Sequence, residues 1–166
     1  MQYRHYFTGL AAVSVLFTST MAVSAEPASF TILPKAGKTI CQSGSSQIGE
    51  AAAKVELCVA QGNFSHDTYL VKIDGKLVVK GIDDDTTKGV SAAYQGSNLN
   101  LVCTPQNEGP TEVAPERIAS MQQNMPQLTE EQAKSMVIMM QTVEVGRLCK
   151  ASLNDQALFS AQVTFQ

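Results

Sequence analysis

The feature that most constrains this chain is a leader ending in small residues, followed by four cysteines that form no close pair. Arg4 and His5 open it, and Thr8–Val23 is mostly apolar and small, with a polar break at Thr18-Ser19-Thr20. Val23-Ser24-Ala25 then places small residues where a signal peptidase cuts. These are the parts of a secretory signal, so cleavage is expected near Ala25, leaving 26–166 as one domain. The apolar run falls short of the roughly 20 residues of a membrane span, so no stable anchor is expected after cleavage. No cysteine stands directly after the cut, the first being Cys41, which disfavours a lipid anchor. Cys41, Cys58, Cys103 and Cys149 all lie beyond the leader and read as two disulfides, as an even count does in an exported chain. None has C-x-x-C spacing, which disfavours a thioredoxin-like pair or a zinc knuckle.

Alternation supplies the strands. Residues 26–52 are small and polar, and predict one short strand near Phe30–Leu33 followed by loop. Val55, Leu57 and Val59 share one face of a strand over 55–60. Asp74-Gly75 separates alternating runs at 68–73 and 76–82, the signature of a hairpin with a type I′ turn. A second hairpin is predicted from 89–94 and 99–104 around Gln95-Gly96-Ser97-Asn98, so that 55–104 forms an antiparallel meander of about five strands. After the linker Asn107-Glu108-Gly109-Pro110, Pro115 opens a helix that stops before Pro126. Thr129 and Gln132 make a capping box for a second helix running to about Gln141. Runs at 143–151 and 157–165 close the chain as a hairpin around Asn154-Asp155. The predicted fold is α+β: an antiparallel β-meander, two short helices packed on one face of the sheet, a C-terminal β-hairpin and two disulfides. Strand parity favours Cys103–Cys149, which leaves Cys41–Cys58, although four cysteines allow three pairings. On the loop-entropy account the two bridges contribute roughly 4 and 3 kcal/mol.

Several chemistries are poorly supported. Net charge is -3 with no Lys/Arg cluster, which argues against a phosphate-tracking nucleic-acid binder. His66 is the only histidine beyond the leader, so His-pair zinc motifs are absent. It lies in the turn-like stretch Gly62–Asp67 and reads as a solvated loop residue, with a Ser–His–acid hydrolase as the alternative. Asp83-Asp84-Asp85 reads as a solvated or partner-contacting loop, with Ca²⁺ binding by the three carboxylates as the alternative, although its spacing is not that of an EF-hand calcium loop. Gly37-Lys38-Thr39 lacks the first glycine of a phosphate loop, and Asn63-Phe64-Ser65 is formally a glycosylation sequon. No metal, cofactor or catalytic residue is therefore assigned.

Beyond the leader every methionine falls between 121 and 140, at helical spacing: Met121, Met125, Met136, Met139 and Met140. Ala133, Met136, Val137 and Met140 make one apolar stripe, with Ile138 and Met139 outside it. Core packing, an adaptable partner surface and soft-ligand Cu(I) binding are the three readings. Leu128-Thr129-x-x-Gln132 resembles the LTxxQ signature of small periplasmic stress chaperones. It occurs once, those proteins are helical throughout, and the capping box already accounts for it, so no family is assigned. The expectation is a soluble periplasmic or secreted protein that binds another envelope protein, such as an inhibitor, immunity factor or accessory protein. Candidate contacts are Asp83, Asp84 and Asp85, or Met136, Ile138 and Met139. A His66 hydrolase and a methionine-based Cu(I) binder are the alternatives.

Overall fold

The computed structural model describes residues 26–63 and 65–165. The expected leader and Phe64 of the sequon lie outside the described residues. The strands are β1 (Ala28–Ile32), β2 (Thr39–Ile48), β3 (Ala51–Ala60), β4 (Thr68–Ile73), β5 (Lys76–Ile82), β6 (Val90–Tyr94), β7 (Ser97–Glu108), β8 (Val143–Leu153) and β9 (Gln156–Thr164). The helices are α1 (Asp83–Lys88), α2 (Pro115–Asn124) and α3 (Glu130–Gln141). The fold is α+β in content and mostly strand, as expected, but α1 is an additional helix.

The strands divide into a four-stranded sheet, β2-β3-β4-β5, and a five-stranded sheet, β1-β9-β8-β7-β6. The expected single meander over 55–104 is thus split: β3, β4 and β5 lie in one sheet, β6 and β7 in the other. The physical reason is burial. Each stretch carries its own apolar face, and two such faces bury most by meeting. Val55, Leu57 and Val59 of β3, with Tyr69, Val71 and Ile73 of β4, join one core with Leu99 and Leu101 of β7 and with Phe159, Ala161 and Val163 of β9. A fully buried side chain of this size contributes about 1.5–3 kcal/mol.

The expected loop after Leu33 is instead β2, ten residues long and paired throughout with β3. Its polar, small composition suits an edge strand with a solvated outer face. The short early strand is real, but it pairs in parallel with β9 from Ala28↔Phe159 to Ile32↔Val163, so the five-stranded sheet is not wholly antiparallel. Phe30 and Phe159 support that pairing with ring centroids 5.3 Å apart.

Local turn chemistry holds where it was read. Asp74 and Gly75 both take positive φ, 48° and 77°, as the turn between β4 and β5 requires. Strand β7 runs past Pro105, beyond the end expected at 104. Since β6 pairs only Ser97–Leu101, β7 is an edge strand there, where proline is tolerated.

Both disulfides join residues directly opposite each other on adjacent strands: Cys41–Cys58 across β2 and β3, and Cys103–Cys149 across β7 and β8. Their surroundings differ. Cys103 and Cys149 belong to the core. Cys58 alternates with the inward Leu57 and Val59, so its bridge lies on the outer face, and Cys41 is exposed.

Candidate functional site

Two regions gather side chains that the packing of the sheets does not require. The first is the end of the sandwich where β4, β5, α1 and β8 converge. Alternation along β8 directs Arg147, Cys149, Ala151 and Leu153 inward, so a guanidinium enters a core-facing position with only 8% of its side chain exposed. A buried cation must be paired, and this one uses its whole fork. Nε and Nη2 donate to Glu144 Oε1 and Oε2 at 2.5 and 3.1 Å. Nη1 donates to the Asp83 carbonyl at 2.8 Å and to Thr87 Oγ1 at 3.1 Å. The guanidinium carbon also lies 6.0 Å from the centroid of the Tyr69 ring. Burial works against its charge, but Glu144, Tyr69 and Asp83 together raise its pKa. Arg147 therefore ties β8 of one sheet to α1 and β4 beside the other.

Asp83 is the hub of this end. Its carbonyl also accepts the hydroxyls of Thr86 and Thr87. Its carboxylate oxygen Oδ1 accepts the Asp84 N–H and meets His66 Nδ1 at 2.6 Å. Asp67 accepts the Gly62 N–H at 2.9 Å. Burial pushes its carboxyl up, and the charges of Asp83 and Glu144 add to that against Gly62 and Arg147. The Tyr69 hydroxyl is buried without a partner among the described residues. Burial pushes that phenol up, with Arg147 opposing and Asp67, Glu144 and Asp83 reinforcing.

The expected aspartate loop is therefore the first turn of α1. Asp84 and Asp85 are exposed there, while Asp83 is partly buried and engaged. His66 is exposed, at 55% of its side chain, and has a carboxylate partner that lies 17 positions away in sequence. No hydroxyl partner is found for the ring among the described hydrogen bonds, and the grooves between the helices and on the outer sheet face are lined by other residues. His66, Asp83 and Asp84 offer ligand atoms within 4.8 Å of one another. Cys41, Glu56 and Cys58 are also close, but the two sulfurs are bonded to each other and offer no thiolate.

The second region is the helical hairpin between β7 and β8. The capping box forms: the Thr129 hydroxyl accepts the Gln132 N–H at 3.2 Å, and Gln132 Oε1 accepts the Thr129 N–H at 2.9 Å. The expectation that the helices pack on a sheet face needs correction. Ile118, Ala133 and Val137 are buried, yet none of them joins the core of the sandwich, and α2 and α3 pack on each other. Two facing helices suffice to cover so narrow an apolar stripe. Met136 and Ile138 are half-buried, and Met139 is 68% exposed. Met140, expected on the inner stripe, is 71% exposed. A groove of about 510 Å³ opens between the helices, with Met121, Val137 and Met140 as its apolar lining and Glu116, Arg117 and Asn124 among its polar lining.

Sequence reading missed Arg147, Glu144 and Tyr69. The available signal was one arginine on the otherwise apolar face of β8. Among the described residues, no helix is long and apolar enough to cross a membrane. No family model, curated protein or solved structure matches this chain.

Proposed function

We propose that this is an exported envelope protein that works by binding another protein, with the α2–α3 hairpin as its contact surface. The observation that carries this reading is the hairpin's independence from the core. Met125, Met139 and Met140 are exposed on an insertion whose buried residues serve only one another. Methionine suits such a surface, because an unbranched thioether side chain adapts to what it meets. An inhibitor, an immunity factor and an envelope accessory protein would all use a surface of this kind. The leader sequence and the two disulfides support export to an oxidising compartment, the periplasm in a bacterium.

The hairpin is favoured over α1 because Asp83 is already committed to contacts within the chain. Of the aspartates, only Asp84 and Asp85 remain for a partner on that side.

Site-specific photo-crosslinking in the native host tests the proposal. A photoreactive residue at position 139 or 140 should capture one recurrent protein, and the same residue at 43, on β2, should not. Met139→Ser combined with Met140→Ser should abolish co-purification of that partner while leaving unfolding free energy within about 0.5 kcal/mol. Failure to crosslink from the hairpin, or equal capture from 43, overturns it.

A further inference from the structure

The convergent end of the sandwich carries a feature that the binding proposal does not use. We propose that His66, Asp83 and Asp84 form a site for one divalent transition-metal ion of the zinc class. The donors come from two elements: His66 precedes β4, and Asp83 and Asp84 open α1. All three ligand atoms lie within 4.8 Å of one another, with His66 Nδ1 and Asp83 Oδ1 only 2.6 Å apart. In a tetrahedral site, bonds of about 2.0–2.2 Å set neighbouring donors roughly 3.4 Å apart. The ion therefore needs side-chain adjustments of about an ångström. Binding exchanges the His66–Asp83 hydrogen bond for bonds from both groups to the ion, a change the exposed imidazole can make by rotation, with no movement of the sheets.

The supports of the site are rigid. The Asp83 N–H donates to the Asp67 carbonyl at 3.1 Å, and the Asp83 carbonyl is held by Thr86, Thr87 and Arg147. The charge balance also favours a cation. Asp67, Asp83, Asp84, Asp85 and Glu144 collect at this end against two cations, Arg147, which is committed to Glu144, and Lys88 in the last turn of α1.

The donor set fixes the class of ion. One imidazole with two carboxylates suits Zn²⁺, Co²⁺ or Ni²⁺ better than Ca²⁺, which prefers six to eight oxygens. Three protein ligands also leave a coordination position open to water.

Calorimetric titration of the purified protein with zinc chloride, with Co²⁺ absorption spectra as a second readout, tests the site. The expected result is saturable binding of one ion per chain that excess calcium chloride does not displace. His66→Ala and Asp84→Asn should each weaken binding by more than about tenfold, and Asp85→Asn, one residue along and outside the cluster, should not. Asp84 and His66 are exposed, and unchanged melting curves establish that a loss lies in binding rather than folding. Absence of saturable binding, or binding that survives both substitutions, overturns the site. Neither result bears on crosslinking from the hairpin.

Discussion

Arg147 occupies a position where the alternation of β8 calls for an apolar side chain, and it is tolerated there because all three guanidinium nitrogens donate hydrogen bonds. Arg147→Met should lower unfolding free energy by about 2–4 kcal/mol in urea titration, because it strips partners from Glu144 and from the Asp83 carbonyl. Arg147→Lys should recover only part of that, since a point charge cannot span the same fork. Glu56 gives a prediction in pH. Burial pushes its carboxyl up, but Lys72 and Lys54, at 3.2 and 3.4 Å, hold it below the ordinary value of 4.5. A folded-state pKa below the unfolded one means that the stabilisation is present above 4.5 and fades as pH falls through the folded value. Glu56→Gln should therefore lower the melting temperature at neutral and higher pH, where the paired carboxylate stabilises, and leave it nearly unchanged at low pH, which flattens the acid side of the profile. At this scale the sequence was legible where parity decides, as for Cys103 opposite Cys149. It was not legible for the His66–Asp83 contact, because pairing across 17 residues depends on where α1 turns.

Elements with local punctuation were readable. Asp74-Gly75, Asn154-Asp155, Pro115 and the Thr129 cap each carry their own physical reason, and each lies where expected. β2 was not readable, because Gln42–Ser46 has almost no apolar side chain and is held in the sheet by its neighbour β3. α2 and α3 were readable as helices, but not as a pair standing apart from the core. The strands that flank them explain the separation. Glu108 at the end of β7 pairs directly with Val143 at the start of β8, so the chain leaves and re-enters the sheet at adjacent points. Replacing residues 110–141 with a short glycine-containing turn should therefore leave an ordinary β-hairpin. Circular dichroism should show the helical signal lost, the strand signal kept and a single cooperative melt. A collapsed or molten product would show that the helices are needed by the sheets.

The molecule as a whole was the least legible level. Apolar alternation says that a strand has an inside; it does not say which of two sheets supplies the opposite wall, and the partition between β5 and β6 is decided by that choice. The same partition leaves the two disulfides unequally protected. With a small thiol reductant and no denaturant, Cys41–Cys58 should open first, since Cys41 is exposed, while Cys103–Cys149 should persist until the core opens. Alkylation followed by peptide mass spectrometry reads the order directly, and equal rates for the two bridges would contradict it.

The parallel pairing of β1 with β9 has a consequence in time. Any chain that emerges gradually, from a ribosome or through a translocation pore, delivers Ala28–Ile32 long before Phe159–Val163 exists to receive it. The last seam of the five-stranded sheet closes only at the end of delivery, so the early segment must wait as an unzipped edge, exposed to whatever else can pair with it.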